Sequence, residues 1–359
     1  MSILDKMKAA GSIKATTLAE SSLFNEKDLV QTPIPIINAA FSGKLDGGIV
    51  SGLTVAAGPS KHYKSLLGLT CVGSYLRKYE KEGAVCLFYD SEFGISSEYL
   101  KENGVNPEMV IHIPIMNIEE LKFDIMKRLE QIERKDKVII FIDSIGNLAS
   151  KKEVDDALEE KSVADMTRAK QNKSLFRMIT PHLTTKDIPC FAIAHVYDTQ
   201  EIYSRKVVSG GTGIYYSANT IFIIGRSQEK DGTEVVGWNF TLNIEKSRFV
   251  KEKSKLTFQV LYDGGIDKYS GILELALESG HFVKSGNRYQ IVDFSTGELK
   301  EEKIWGKDLG PKEYEPLLKD KKFLEFVANK FTLRAKSKEI IEEQVDTEFT
   351  DRQTELDGE

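Results

Sequence analysis

The sequence predicts an α/β protein whose mostly parallel central sheet is flanked by helices. Short apolar runs rich in Val, Ile and Phe alternate with segments of helix length, a pattern typical of strands buried on both faces of a parallel sheet. The first run, GLTVAAG (52–58), leads directly into a candidate phosphate-binding loop. Ligands of open α/β sheets bind beyond the carboxyl ends of the strands, so we expect the functional site at that edge.

The predicted elements follow one another in a regular order. The further apolar runs are AVCLFYD (84–90), KVIIFID (137–143), IPCFAIAH (188–195) and TIFIIGR (220–226). The segments of helical character before the second and third of these are IEELKFDIMKRLEQIER and VADMTRAKQNKSLFRMI. The later runs GWNFTLNIEKS and KLTFQVLYDGG alternate more and have short links, which indicates antiparallel strands at the edge of the sheet.

The domain organisation is predicted from length and from changes in pattern. A chain of 359 residues is long enough for two domains at about 100–200 residues each. We expect an N-terminal arm (1–30), a large core (31–275), a small C-terminal α+β domain (276–338) and an acidic tail (339–359). The tail has nine acidic residues and one arginine, so its charge is −8. Because the net charge of the whole chain is −6, the remaining residues together carry +2. Such tails are usually disordered.

Composition excludes several classes of protein. Hydrophobic and charged fractions of 41% and 29% are those of an ordinary soluble domain. The N-terminal residues lack the apolar segment of a signal peptide, and no apolar run reaches the roughly 18 residues of a membrane span. We therefore expect a cytoplasmic protein that does not enter a membrane. Its three cysteines lie in apolar runs and its five histidines are scattered, which predicts reduced core thiols and no metal cage.

The loop after the first strand is GPSKHYKS. Gly58, Lys64 and Ser65 match the pattern G-x-x-x-x-G-K-[ST], but Tyr63 replaces its second glycine. Such a loop wraps backbone N–H groups around phosphates, while lysine reaches the β- and γ-phosphates and the hydroxyl binds Mg²⁺. A tyrosine is compatible with this if its backbone reaches an acceptable φ. The alternative is an ordinary strand–turn–helix connection with a chance Lys-Ser pair.

Polar residues also follow three other predicted strands. Asp143 follows a strand and is placed to hold Mg²⁺ through water. Glu92, two residues after Asp90, is placed to deprotonate a water molecule. His195 ends a further strand. Each has a structural alternative: a helix cap, a loop acid and a hydrogen-bonded core histidine. Together with the loop, they predict a nucleotide hydrolase.

The motifs in combination resemble the RecA family of recombinases, in particular members encoded by T-even-type bacteriophages. They run in family order from about residue 30 to 275, and read GPSKHYKS, LFYDSEFG with EYLKENGV, FIDSIGNLASKKE, DMTRAK…SLFR, GGTGIYYSA, EKSR and YDGGIDKYSGIL. The resemblance implies a RecA-like P-loop ATPase core that uses ATP and Mg²⁺, with an N-terminal arm for polymerisation. The C-terminal region is less diagnostic.

The resemblance also implies roles for individual residues of the ATP site. The residues that would hold the triphosphate are Gly58, Pro59, Ser60, Lys61, His62, Tyr63, Lys64, Ser65 and Leu66. Ser65 and Asp143 would hold Mg²⁺, the latter through water, and Glu92 would be the general base. Tyr99 would stack on adenine, with a helix-face aromatic as the alternative.

Three further roles in hydrolysis come from the same resemblance. His195 stands where bacterial members have a glutamine that senses the γ-phosphate, and it can also donate a hydrogen bond. Lys246 and Arg248 match basic residues that reach the ATP of a neighbouring subunit, as an arginine finger does. The alternative for this pair is a solvated edge-strand surface.

Two segments are expected to contact DNA. In the first, 155–177, a cluster at roughly helical spacing consists of Arg168, Lys170, Lys173 and Arg177. The second, 197–213, contains Arg205, Lys206, Gly210 and Gly211. Basic side chains bind phosphates and glycines allow close approach of the backbone; the alternative for the first segment is a charged solvent face. Neither has an aromatic ladder, so specificity is expected from base pairing between strands.

The predicted function is that of an ATP-dependent recombinase. It would form helical filaments on single-stranded DNA, pair it with homologous double-stranded DNA and exchange strands, with help from a recombination mediator and a single-strand-binding protein. A phage-encoded chain would act in the host cell cytoplasm. The alternatives are a ring helicase with a RecA core and a non-catalytic paralogue that acts as a filament scaffold.

Overall fold

The computed structural model describes residues 2–13, 15–21, 28–159, 167–198 and 206–333. Arg205, the side chain of Lys206 and the acidic tail 339–359 lie outside the described residues. In the described part of the chain the helices are α1 Ile3–Ala10, α2 Pro35–Ser42, α3 Lys64–Lys78, α4 Ser97–Glu102, α5 Ile118–Gln131, α6 Lys151–Leu158, α7 Thr167–Thr185, α8 Thr212–Ser217, α9 Ile272–Glu278, α10 Pro311–Leu317 and α11 Lys321–Phe331.

The strands of the same residues form one large sheet and two small ones. They are β1 Gly52–Ala57, β2 Val85–Asp90, β3 Val110–Pro114, β4 Val138–Asp143, β5 Pro189–Ala194, β6 Val196–Asp198, β7 Lys206–Val208, β8 Thr220–Asp231, β9 Glu234–Ser247, β10 Lys255–Leu261, β11 Gly265–Ile266, β12 Phe282–Ser285, β13 Arg288–Ile291 and β14 Ile304–Trp305.

The large sheet has the order β11-β10-β9-β8-β1-β5-β4-β2-β3. From β8 to β3 every pairing is parallel, and from β8 to β11 every pairing is antiparallel. The predicted α/β class with a mostly parallel sheet is therefore confirmed. β3 was not predicted. β9 lies between β8 and β10, and β10 lies between β9 and β11, so the interpretation of these two strands as edge strands is wrong.

The register of the parallel strands sets the geometry of the site. β1, β2, β4 and β5 end at one edge of the sheet, and Asp90 of β2 is opposite Asp143 of β4. All residues of β1, β4 and β5 are buried, because helices cover both faces. The polar residues that follow these strands therefore meet at one edge, beyond a rigid apolar base.

The core consists of one hydrophobic cluster on each face of the sheet. One contains residues of α2 and α3, the antiparallel strands and the C-terminal elements, including Phe41, Phe222 and Phe258. The other contains α5 and α7, including Leu121 and Phe176. The three cysteines are buried and free, as predicted for core thiols.

The C-terminal elements pack directly on the large sheet. Phe282 and Phe323 belong to the same cluster as Phe41, and Val250 bridges Thr332. The predicted domain boundary at 275/276 falls within α9 and stays a prediction.

The N-terminal arm presents apolar side chains to solvent. Ser2 caps α1, which contributes no residue to the core, and Ile3, Leu4 and Met7 are 73%, 53% and 61% exposed. The arm's role in polymerisation stays a prediction. None of the described helices combines the length and apolar character that crossing a membrane requires.

Candidate functional site: a nucleotide cavity at the sheet edge

The loop between β1 and α3 has the predicted strand–loop–helix context. Gly58 lies against β8, where a Cβ atom would be 3.3 Å from the carbonyl oxygen of Ile224. α3 begins at Lys64, so the unpaired N–H groups of its first turn lie at the end of the loop and favour an anion there.

Tyr63 takes the backbone conformation that glycine would supply. Its φ and ψ are 50° and 30°, in the left-handed region, which costs a non-glycine residue roughly 1–2 kcal/mol. Its ring packs on Phe240 of β9 with centroids 4.8 Å apart, and such aromatic pairs contribute about 0.5–1.5 kcal/mol beyond the area they bury. The packing offsets the strain, so the substitution is compatible with a formed loop.

Lys64 is buried at the base of this loop. Its Nζ donates a hydrogen bond to the carbonyl oxygen of Pro59 at 2.8 Å. Burial lowers the pKa of Lys64, against the opposing influence of Glu92 and Asp143. The loop therefore holds a buried cation beside two carboxylates, and a phosphate would be a stronger partner for this cation than a carbonyl oxygen.

Ser65 and Asp143 form the pair that the motif predicts. Ser65 Oγ donates to Asp143 Oδ2 at 2.6 Å, while Asp143 Oδ1 is buried and has no hydrogen-bond partner among the described residues. Burial raises the pKa of Asp143 to about 6. A hydroxyl beside a buried carboxylate with an open oxygen fits Mg²⁺, which uses one or two protein oxygens and completes its shell with water and phosphate.

The raised pKa of Asp143 predicts a cost in stability at neutral pH. The folded protein binds this proton more tightly than the unfolded chain, so the proton's stabilising effect is complete below about pH 4 and is lost as pH rises through about 6. We expect Asp143→Asn to stabilise the protein free of metal and nucleotide by about 1–3 kcal/mol at pH 7.5, and by less near pH 4.5. Urea denaturation in EDTA measures this. Asp231→Asn, at an exposed position, is the control, and a less stable Asp143→Asn at pH 7.5 contradicts the assignment.

Glu92 is held in place by its neighbours. The carboxylate of the buried Asp90 accepts the N–H groups of Glu92 and Phe93 at 3.0 and 2.8 Å, and its other oxygen lies 3.1 Å from His112 Nε2. Asn147 Nδ2 donates to Glu92 Oε1 at 3.0 Å. Both the turn and the carboxylate are therefore positioned before any ligand binds.

His195 faces the same carboxylate from the end of β5. Its Nε2 lies 3.6 Å from Glu92 Oε1, and this imidazole is the main cause that lowers the pKa of Glu92. Glu92 is thus ionised at neutral pH, as a base must be. A Cβ atom on Gly146 would be 2.3 Å from His195 Cδ2, so glycine is needed there for the histidine to fit.

These residues line one cavity of about 450 Å³. Its lining is Ser60, Lys61, His62, Tyr63, Lys64, Ser65, Leu66, Glu92, Tyr99, Asp143, Ile193, His195, Arg226 and Trp238. Tyr63, Leu66 and Tyr99 also line an adjoining cavity of about 530 Å³. Tyr99 thus lies where the two cavities meet, and its contact with adenine stays a prediction.

Comparison with known proteins decides the family. The model of the RecA N-terminal domain matches residues 37–267, more than half of the chain. The chain belongs to the RecA family. The resemblance predicted from the motifs is confirmed, and the recombinase acts in DNA recombination.

Its relatives include phage and bacterial proteins. The recombinase is 53% identical to the "Recombination and repair protein" (UvsX) of Enterobacteria phage T4, over 95% of this chain and 88% of that protein. It is 26% identical to the RecA protein of Tropheryma whipplei, over 71% of this chain and 57% of that protein. With the solved structure of the RadB recombinase it shares 20% identity and a TM-score of 0.47, over 66% of this chain and 98% of that one.

Lys246 and Arg248 of the recombinase lie outside the nucleotide cavity of their own chain. Both follow Ile244, whose backbone bonds to Lys253 and Ser254 just before β10, and Lys246 pairs with Ile221 of β8. Lys246 Nζ donates to the carbonyl oxygen of Tyr215, and burial lowers its pKa. Arg248 is exposed.

The basic residues of α7 fall into two groups. Lys170, Lys173 and Arg177 are exposed, at a spacing that places them on one side of the helix. Arg168 points inward instead, and its Nη2 donates to the carbonyl oxygen of Gly146. Arg168 therefore contributes to the packing near His195, unlike the other three.

The second predicted DNA segment is described only in part. Lys206 begins β7, which pairs with β6. Gly210 and Gly211 follow β7 and have φ values of 106° and 79°, which side chains with a Cβ atom rarely adopt. Ser209 connects this segment to the nucleotide cavity, because its N–H donates to the His195 carbonyl oxygen at 2.8 Å and its Oγ accepts the His195 N–H at 3.1 Å.

Sequence reasoning missed Arg226 and Trp238, which line the cavity together with Ile193, and Asn147, which bonds to Glu92. Asn147 lies within the FIDSIGNLASKKE motif, but its contact with Glu92 joins residues 55 positions apart. Arg226 and Trp238 lie on predicted strands, outside the motifs of the family resemblance. Their separation of 12 positions does not indicate that the two side chains share a site.

Proposed function

We propose that the recombinase binds ATP and Mg²⁺ in the cavity at the sheet edge and hydrolyses ATP when it is assembled on single-stranded DNA. One observation supports this most: Lys64, Ser65, Glu92 and Asp143 come from three strand ends and line one cavity. The filament would pair its strand with a homologous duplex and exchange strands.

The residues of the cavity would have different roles in ATP binding and hydrolysis. Lys64 would exchange its bond with Pro59 for the β- and γ-phosphates, and Ser65 and Asp143 would hold Mg²⁺, which supplies positive charge to the phosphate oxygens. Glu92, ionised and fixed by Asn147, would orient a water molecule and accept its proton. The backbone of the loop and the start of α3 would bind the remaining phosphate oxygens.

His195 gives a physical route from DNA to hydrolysis. Its ring faces Glu92, and its backbone is bonded in both directions to Ser209, directly before Gly210 and Gly211. Movement of the 206–211 segment on DNA would therefore shift His195 relative to the base. This supports a role in which DNA binding adjusts the position and proton affinity of Glu92.

The proposed DNA surface consists of exposed positive charge and flexible backbone. Lys170, Lys173 and Arg177 would bind phosphates from α7, and Gly210 with Gly211 would allow the strand to approach the main chain. Arg205 and Lys206 are proposed to join them.

The proposed partners are single-stranded and homologous double-stranded DNA, further copies of this chain, a recombination mediator and a single-strand-binding protein. The cytoplasm is the proposed site of action. A ring helicase is not favoured, since the relatives above are recombination proteins. A non-catalytic scaffold would have no need for Glu92, Asp143 and Lys64 in one cavity.

The function is tested by DNA binding and DNA-stimulated ATP hydrolysis of one variant series. Lys170→Gln, Lys173→Gln and Arg177→Gln should each weaken binding to single strands of any sequence, because each loses a phosphate contact. The slope of log affinity against log salt should fall by about 0.7 per contact. Lys322→Gln, an exposed lysine on α11, is the control. Unchanged slopes in all three variants would show that DNA binds to a different surface. A wild-type protein whose ATP hydrolysis is not stimulated by DNA would refute the proposed function.

Lys246 and Arg248 are proposed to act on the nucleotide of a neighbouring protomer. Arg248→Ala is the cleaner probe, because Lys246 also holds the Tyr215 carbonyl oxygen. We expect Arg248→Ala and Glu92→Gln each to lose DNA-stimulated hydrolysis. In random mixed filaments with head-to-tail interfaces, about a quarter of the interfaces combine an intact Glu92 with an intact Arg248, so mixing should restore activity. Mixed filaments as inactive as their parents would place Arg248 outside the shared site.

A further inference from the structure

Arg226 lies in the nucleotide cavity without a role in the mechanism above. It is on β8, two residues beyond Ile224, whose carbonyl oxygen faces Gly58 of the loop. Its side chain lines the same cavity of about 450 Å³ as Lys64 and Glu92. Besides Lys61 and Lys64 of the loop, a cation therefore reaches this cavity from a different element of the same protomer.

The plane of the guanidinium group is held by stacking. Its Cζ lies 3.2 Å from the centre of the Trp238 ring, and Trp238 Nε1 donates to the Tyr262 hydroxyl at 3.0 Å. The pairing of Arg226 with Phe240 in the β8–β9 ladder brings Trp238 alongside. Stacking occupies a face of the guanidinium group and leaves the N–H donors at its edge available.

One of those donors, Arg226 Nε, is buried and has no acceptor in the described ranges. In contrast, Arg128 Nε donates to Asp124 Oδ2 at 2.6 Å. A buried donor without a partner requires an explanation, and a ligand in the cavity that Arg226 lines provides one.

We propose that Arg226 is a phosphate-binding residue of the nucleotide site, and that Trp238 positions it. The planar edge of a guanidinium group matches the paired oxygens of a phosphate. A base would need an open aromatic or guanidinium face for stacking, and Trp238 covers one face of Arg226. The ligand is therefore a nucleoside di- or triphosphate held by cations from two elements of one protomer, among them Lys64 from the loop and Arg226 from β8.

This inference rests on the proposed nucleotide site, and titration of the isolated full-length protein with ADP and with inorganic tripolyphosphate tests it. Arg226→Gln should weaken both ligands about tenfold to a hundredfold, the effect of losing a charged hydrogen bond. Arg226→Lys should recover part of the loss, since charge remains but the planar edge does not. Trp238→Leu should give an intermediate loss for both ligands.

The controls separate this inference from the proposed function. Lys230→Gln, exposed on the same strand, should bind as the wild type does, and thermal denaturation identifies any variant that fails to fold. If Arg226→Gln does not fold, the ligand affinity of Arg226→Lys tests the role of Arg226 instead. Wild-type affinity for both ligands in the folded Arg226 variants, together with lost affinity in Lys64→Ala, overturns the role of Arg226 alone. Wild-type affinity in Lys64→Ala overturns the nucleotide site itself.

Discussion

Lys64→Ala should abolish nucleotide binding at ordinary ligand concentrations. Lys64 is buried beside Glu92 and Asp143, both of which favour its charged form. Without it, a polyphosphate would enter a cavity with two carboxylates and no lysine at the base of the loop. Losing one partner of a buried charge pair weakens binding by a factor of roughly 100 to 1,000. Calorimetric titration with ATP in the presence of Mg²⁺ measures the effect.

The control for this prediction is the removal of a lysine that lies away from the cavity. Lys81→Ala serves, because Lys81 is exposed just after α3 and has no place in the cavity. All activities that require bound nucleotide should be lost in Lys64→Ala and retained in Lys81→Ala. ATP affinity equal to that of the wild type in Lys64→Ala is incompatible with the proposed loop function.

Glu92→Gln should bind nucleotide and DNA but hardly turn over. Loss of a general base costs roughly 10²–10⁴ in rate. The glutamine can still accept the Asn147 hydrogen bond, and the Asp90 carboxylate still holds the turn through the backbone. Glu92 also contributes to the raised pKa of Asp143, so its neutralisation should keep Asp143 ionised. Single-turnover hydrolysis on DNA and ATP titration separate the two properties.

The matched variant for this prediction is Asn147→Ala. It keeps the carboxylate but removes its orienting hydrogen bond, so turnover should fall by less than in Glu92→Gln, with little change in ATP affinity. Normal turnover in Glu92→Gln would remove this residue from the mechanism. A loss of ATP affinity as large as that of Lys64→Ala would instead make Glu92 part of the binding site.

Most of the parallel strands were predictable, because each is buried on both faces and therefore reads as a continuous apolar run. β3 was not, since it lies at the edge of the sheet and three of its five residues are exposed. The same dependence on neighbours explains the error at β9. Its alternation indicated an antiparallel strand correctly, but only the assembled sheet shows β10 and β11 beyond it.

The phosphate-binding function of the loop could be predicted from the sequence alone. Contiguous motifs impose their own local geometry, so Gly58, Lys64 and Ser65 could be assigned by spacing, and Asp143 and Glu92 by their positions after apolar runs. A P-loop core in a RecA-family recombinase followed from these motifs in their order. Whether Tyr63 could replace glycine did not, because the answer depends on Phe240, which is distant along the chain and packs on its ring.

Tertiary structure decided which residues share the site beyond those motifs. Asn147 reaches Glu92 because β2 and β4 are adjacent and in register. Arg226 meets Trp238 because β8 and β9 pair antiparallel, and Arg168 turns inward because Gly146 lies within its reach. A sequence determines local conformation and burial through short-range pattern, whereas these contacts depend on strand order and register, which are set by packing of the whole chain.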